Sequence, residues 1–379
     1  MDAALKSKIE HHFGRMAVDK RQALQAGFEL MPRFVTEYLL AAARDRNGAL
    51  DVHDVRDRIR RFSVDADRRG EFVSRLMRDK EARLIAHLEV DPRPDRNEHI
   101  GRLMQLDGHE LSISDSLVGR YPELLYGGLW GTCALFYDTQ GFRPRIVVTD
   151  FSPYQLTRPD MDLLCRVRPE FSMDEWIQLL LQSAGYRPEA FPTLRQKLLV
   201  LARLVPLAQG NVNLIELGPR GTGKSYLLRN LSSRTYLLSG ARATPASLLY
   251  DLNRRAVGMV GRRKVVVFDE VGATSFPDVS LVAALKDYME SGNIARGGRS
   301  MTGDCSLVFT GNIDLESDGL TPRRDYLHLF EVLPYELCDS AVADRFHAFI
   351  PGWELPKISD DVLADGVGLL GDYFGEVLC

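Results

Sequence analysis

The residues Gly218-Pro219-Arg220-Gly221-Thr222-Gly223-Lys224-Ser225 meet the spacing G-x-x-x-x-G-K-[ST] of a phosphate-binding P-loop. The chemistry requires these residue types. Glycines let the backbone turn so that successive N–H groups point at phosphate oxygens. Lys224 reaches the β- and γ-phosphates, and Ser225 offers a hydroxyl to Mg²⁺. Further along, Val265-Val266-Val267-Phe268-Asp269-Glu270 is an apolar run that ends in two acids. Asp269 is the candidate to hold Mg²⁺ through water, and Glu270 the candidate to polarise the attacking water. A nucleotide triphosphatase using Mg²⁺ is the expected chemistry, placed in the C-terminal half.

Such residues work only if strands and helices hold them. Residues 211–217 are apolar enough for a buried strand, and 225–231 read as a helix. The loop then lies at a helix N-terminus, whose field favours an anion. The run from Val265 to Phe268 suits a central parallel strand. Asp269 follows at its carboxyl end, where open α/β sheets place ligands.

Residues 278–290 read as a helix, and 291–303 are rich in glycine and arginine. The latter suggest a β-hairpin with Arg296 and Arg299 near its tip. The strand-like Leu307–Thr310 ends at Gly311-Asn312. A polar residue beside the Asp269 strand can sense the γ-phosphate, so Asn312 is a candidate catalytic residue; its other reading is a turn asparagine. Arg345, in Ala341–His347, is a candidate arginine finger. The alternative is an ordinary ion pair with Asp344 or another acid, with Arg323 and Arg324 as other donors.

The rest of the chain must supply the frame. Its 379 residues allow two or three domains. A net charge of −4 excludes a nucleic-acid surface spread over the whole molecule, so any such site must be a local patch. Cys133, Cys165, Cys305, Cys338 and Cys379 include no C-x-x-C pair. That argues against a zinc ribbon or disulfide framework and for a reducing compartment. No run of 18 apolar residues and no signal-peptide core are present, so a cytoplasmic protein with no membrane contact is expected.

Residues 1–105 read as a helical N-terminal domain, on the recurrence of Phe28, Leu30, Phe34 and Tyr38, and of Phe72, Leu76, Leu84 and Leu88. Asp91-Pro92-Arg93-Pro94-Asp95 is a boundary or a turn. Residues 54–61 are basic with interleaved acids, which fits a solvated helix face or contact with a nucleic-acid backbone. Residues 106–165 read as a β-rich subdomain, with a turn at Thr139–Phe142 and a linker from Phe151 to Pro159. Its aromatics Trp130, Phe136, Tyr137 and Tyr154 are either core or base-stacking surfaces. Residues 166–208 read as a helical linker, 209–350 as the P-loop core and 351–379 as the start of a lid.

The P-loop, Val265–Glu270, the hairpin at 292–303, Gly311-Asn312 and Asp344-Arg345-Phe346 resemble an AAA+ ATPase, in the branch that contains the MCM helicases. The runs Glu216–Tyr226, Phe268–Val271, Lys286–Gly292 and Pro351–Ile358 resemble more closely the Lon-like ATPases of BREX bacteriophage-defence systems, the BrxL family. Leu129-Trp130 and Trp176–Tyr186 also look familial. The resemblance implies an α/β AAA+ core, a parallel sheet flanked by helices, preceded by the helical region and the β-rich subdomain. It implies a hexameric ring or stacked rings, with ATP at subunit interfaces and duplex DNA in a central pore. Gly218, Gly221, Thr222, Gly223, Lys224, Ser225 and Tyr226 would bind nucleotide, and Ser225 and Asp269 the metal. Lys224, Glu270 and Asn312 would act in cis and Arg345 in trans; Arg296 and Arg299 would grip DNA. Other BREX proteins are possible partners.

Family members commonly continue into a Lon-protease-like domain. The sequence stops at Cys379, with no stretch for a Ser–Lys dyad, so no peptidase activity is expected of it, and no sensor-2 arginine is identified. Three functions compete. One is a DNA-translocating or DNA-remodelling motor, and another is a nucleotide-controlled scaffold that binds DNA but hydrolyses slowly. The third is a protein remodeller or unfoldase, kept open by Tyr288 and Phe276 as possible pore-loop aromatics.

Overall fold

The computed structural model describes all residues except 26, 27, 29, 30, 45–49, 107, 141–143, 155–158, 240–242, 253–255, 275, 277, 278 and 297, and gives only the backbone of 66, 279, 296 and 299. The chain forms two compact units. One comprises Met1–Lys20, Met161–Leu369 and Val377–Cys379; the other Arg21–Asp160 and Leu370–Glu376.

The second unit begins with helices. Val52–Phe62 is capped by Asp51, whose carboxylate accepts from the His53 and Asp54 amides at 2.9 and 3.2 Å. Val55 and Ile59, one turn apart, are buried, while Arg58, Arg60 and Arg61 are exposed. The basic stretch is thus the outer face of an amphipathic helix.

A closed five-stranded barrel follows. Its strands in spatial order are Glu81–Arg93, Glu98–Leu103, Leu111–Ile113, Arg145–Pro153 and Leu129–Asp138. Only Leu111–Ile113 and Arg145–Pro153 run parallel to each other.

The barrel corrects the expectation that residues 1–105 are helical and that β structure starts at 106. Helix ends at Asp79, and Glu81–Leu103 supplies two barrel strands. Leu84 and Leu88, four apart, satisfy a helical spacing and a strand spacing equally. Leu84, Ala86, Leu88 and Val90 all point into the barrel core, whereas Ile85 belongs to a separate apolar cluster with Phe34 and Trp130. That is period two, and sheet closure, not local propensity, selects it. Asp91–Asp95 is the end of one strand and its turn, not a boundary. Trp130 and Tyr154 are buried, Tyr154 stacking on Tyr38 at 5.3 Å, and Phe136 and Tyr137 are half-buried. Phe151-Ser152-Pro153, expected in a linker, ends a barrel strand; 155–158 of that linker, 141 and 142 of the expected turn, and Leu30 lie outside the described residues.

The first unit is built on a parallel sheet ordered Ala348–Pro351, Leu214–Gly218, Ser306–Asn312, Val265–Asp269, Thr235–Ser239. Its central strands are buried on both faces, which accounts for their continuous apolar sequence. Phe268 stacks on Phe309 at 4.6 Å, fixing the register of two neighbouring strands. Helices Lys224–Leu231 and Val279–Ser291 belong to this unit, the latter leading into the antiparallel hairpin Asn293–Arg296 with Arg299–Thr302. Helices Met173–Ala184 and Leu194–Ala202 each start with a capping box, Ser172/Glu175 and Thr193/Gln196. Of residues 351–379, Val367–Leu369 pairs antiparallel with Ala17–Asp19 in this unit, and the helix Gly371–Leu378 falls mostly in the second.

Replacing Leu84 by Ala should destabilise the barrel by about 2–5 kcal/mol. Replacing its exposed neighbour Arg83 by Ala should change stability by less than about 0.5 kcal/mol. Hydrogen exchange of the barrel amides measures both.

Candidate nucleotide site

The P-loop strand delivers Gly218 to the sheet's carboxyl edge, and the chain then turns through Gly221 (φ +88°) and Gly223 (φ +75°) into the helix at Lys224. A side chain at Gly223 would be strained by that φ and would also meet Ile358, whose Cδ1 lies 2.8 Å from a Cβ placed there. Ile358 closes over the loop, its amide donating to the Gly221 carbonyl at 2.7 Å.

Strand pairing brings the second half of the site to this edge. Asn312 lies opposite Gly218 in the register. Its Oδ1 accepts from Lys224 Nζ at 3.1 Å, and the same ammonium donates to the Gly218 and Pro219 carbonyls, each at 2.9 Å. Burial holds the Lys224 ammonium below the usual lysine pKa; Glu216, Asp269 and Glu270 pull it upward and Arg203 opposes them.

Asp269 Oδ1 accepts hydrogen bonds from the Ser225 hydroxyl and, at 2.8 Å, from Thr310 Oγ1. Ser225 and Asp269 are a sparse ligand set, and that suits Mg²⁺, which takes one or two carboxylates and completes its shell with phosphates and water. Glu270 is exposed and sits at φ 52°, ψ 52°, a left-handed conformation that is unfavourable for a non-glycine residue. The strain falls one residue beyond the strand that carries Asp269. A cleft of about 470 Å³ adjoins the loop, lined among others by Pro219, Arg220, Asn312, Trp353 and Lys357.

Beneath the loop lies a buried ion pair. Arg203 Nε and Nη2 donate to the two Glu216 carboxylate oxygens at 2.9 and 2.5 Å, and Nη2 also reaches the Thr222 carbonyl at 3.1 Å. Both side chains are at most 3% exposed. Sequence reasoning missed Arg203, Glu216 and Thr310 as parts of the site. An acid inside the apolar run 211–217 was the available signal for Glu216; Thr310 carries none, since threonine is ordinary in a strand.

Lys224 therefore bonds directly to Asn312, and its neighbour Ser225 to Asp269. Tyr226 is the third residue of the helix and half-buried. The Arg345 guanidinium contacts the helix Val279–Ser291 instead, donating to the Lys286 carbonyl at 2.8 Å and pairing with Glu290. Its acid is Glu290, not Asp344. Arg323 pairs with Asp325. Arg296 and Arg299 are the last register partners of the hairpin ladder.

Replacing Arg203 by Met should cost about 3–5 kcal/mol, because a buried carboxylate loses its counter-ion. The double variant Arg203→Met/Glu216→Leu should recover most of that loss. Urea unfolding of the three proteins provides the check.

A family model described as "Lon-like protease BrxL-like, ATPase domain" matches residues 146–379, and one described as "BREX system Lon protease-like protein BrxL N-terminal" matches residues 11–137. The Lon-like protease BrxL of Escherichia coli O9:H4 (strain HS) is 33% identical, over 99% of this chain and 54% of its own. That of Bacillus cereus (strain H3081.97) is 31% identical, over 99% of this chain and 56% of its own. The chain thus spans about half the length of the curated relatives it matches. The first match contains the P-loop, Asp269-Glu270, the arginine hairpin and Asn312 in one stretch, and on that coverage the chain belongs to the BrxL family and carries its ATPase domain.

Proposed function

We propose that this chain hydrolyses ATP with Mg²⁺ and couples hydrolysis to movement along, or remodelling of, DNA in bacteriophage defence. The observation that carries the hydrolysis is the convergence of Lys224, Asn312, Ser225 and Asp269 at one sheet edge. Family membership supports the setting in a BREX system. Lys224 and the loop amides bind the phosphates, Asn312 orients the γ-phosphate, and Ser225 and Asp269 hold the metal. Mg²⁺ neutralises charge on the phosphates when bound. Glu270 takes the proton of the attacking water. Among the described residues no helix is long and apolar enough to cross a membrane, and the proposal sets the work on DNA in the cytoplasm.

The ring is part of the same proposal. Arg345 serves a neighbouring subunit's phosphate, which requires it to exchange Glu290 for that phosphate. Arg296 and Arg299, at the end of the hairpin, grip the DNA backbone. The protein-remodeller alternative relied on Tyr288 and Phe276 as pore-loop aromatics. Tyr288 is 0% exposed and Phe276 2%, so neither is available to grip a polypeptide. That favours DNA as the substrate.

ATP hydrolysis should rise on addition of long duplex DNA and vanish in Lys224→Ala and Glu270→Gln. Turnover indifferent to DNA would favour the remodeller. Arg296→Ala/Arg299→Ala should weaken DNA binding and flatten the slope of log K against log [salt] by about 1.8, the value for two lost phosphate contacts. Arg345→Ala should lower kcat by about 10³-fold or more if the guanidinium meets the transferring phosphate. Mixing Arg345→Ala with Lys224→Ala subunits should restore part of the activity, because each supplies what the other lacks. Two variants that stay inactive together would place Arg345 in cis.

A further inference from the structure

We propose that Thr310 is a positioning residue for the metal, holding the Asp269 carboxylate in the orientation that receives Mg²⁺. The proposal rests on the nucleotide-hydrolysis reading above. Thr310 is 1% exposed, and its hydroxyl donates to Asp269 Oδ1 at 2.8 Å. The Ser225 hydroxyl donates to the same oxygen. These two donors carry different obligations. Ser225 is the second residue of the helix that follows the phosphate loop and is itself a candidate metal ligand. Thr310 lies inside the sheet, and the bond to Asp269 is its side chain's hydrogen bond in the structure. It can therefore fix Oδ1 whatever the site contains, while Oδ2 has no hydrogen-bond partner among the described residues and would be the oxygen open to a metal or its water.

The strand holds Thr310 firmly. It pairs with Glu216 of the P-loop strand on one side. On the other, the preceding residue Phe309 is locked against Phe268 by the ring stack, so Thr310 is brought alongside Asp269. Groups carried on strands keep their geometry better than groups on loops. Hydrogen bonds to metal-binding carboxylates set metal affinity, and their removal weakens it about 10–100-fold.

The test measures Mg²⁺ rather than turnover. Binding of a fluorescent ADP analogue to the full chain is titrated with Mg²⁺, for the parent, Thr310→Val and Thr310→Ser, and repeated in EDTA. Valine keeps the shape and removes the donor; serine keeps the donor and removes the methyl. The Mg²⁺ concentration at half-effect should rise about tenfold or more in Thr310→Val and return to the parental value in Thr310→Ser. Binding in EDTA should be common to all three. Equal Mg²⁺ midpoints in the parent and Thr310→Val overturn the proposal. So does a serine variant as weak as the valine one, because packing of the methyl would then be the cause. Loss of binding in EDTA by Thr310→Val alone would mean a collapsed sheet edge, which also overturns a metal-specific role. A parent that binds no nucleotide overturns the nucleotide reading itself, a result distinct from the other three.

Discussion

The Arg203–Glu216 pair sits where the P-loop strand becomes the P-loop, and the geometry of the site depends on it. Glu216 is a charge within a strand that is otherwise apolar and wholly buried. Desolvating it is expensive unless its counter-ion is well placed. Here the guanidinium takes both carboxylate oxygens, the bidentate fork that suits such pairs. Its remaining reach goes to the Thr222 carbonyl. A contact made to balance a buried charge thus also holds the loop's backbone. Glu216 is flanked in the sheet by Thr310 and Ile350 and abuts Gly352, where a Cβ would come within 3.0 Å of its Oε1. Backbone, hairpin-side strand and C-terminal segment are all shaped around one carboxylate.

Above that support, the site concentrates charge and strain. Lys224 is held among carbonyls and the Asn312 amide, a lining of partial negative charge that offsets its burial. Asp269 is fixed by two hydroxyls from different elements. Glu270 is kept in an unfavourable backbone conformation directly beyond a strand that pairs with neighbours on both sides. Strain of this kind persists only where the surrounding structure over-determines it. The strand order interposes the Asn312 strand between the P-loop strand and the Asp269 strand.

The barrel unit follows a different logic. Its strands are irregular in length, and closure rather than a long apolar run gives it a core. Leu84, Ala86, Leu88 and Val90 alternate inward, yet Leu84 and Leu88 alone read as a helix face. Tyr154 and Trp130, aromatic enough to suggest a binding surface, are enclosed with Phe34, Val35 and Ile59 from the helices of the same unit. Neither outcome follows from a local window, because each depends on residues distant in sequence.

The amino-acid sequence alone determined the phosphate loop, the Asp269-Glu270 pair, the hairpin and the Asn312 strand end. Each is local: a glycine spacing, an apolar run of strand length, or a turn-rich stretch between two strands, and each constrains the backbone within a few residues. Tertiary structure decided what no local pattern holds. Strand register placed Asn312 opposite Gly218 and within reach of Lys224. Sheet packing put Thr310 against Asp269, and a helix end supplied Arg203 to Glu216. The contacts of Arg345 show the limit most plainly. Its neighbour in sequence is Asp344, but the acid it meets is Glu290, 55 residues away, because the fold rather than the chain sets which carboxylate a long flexible cation can reach.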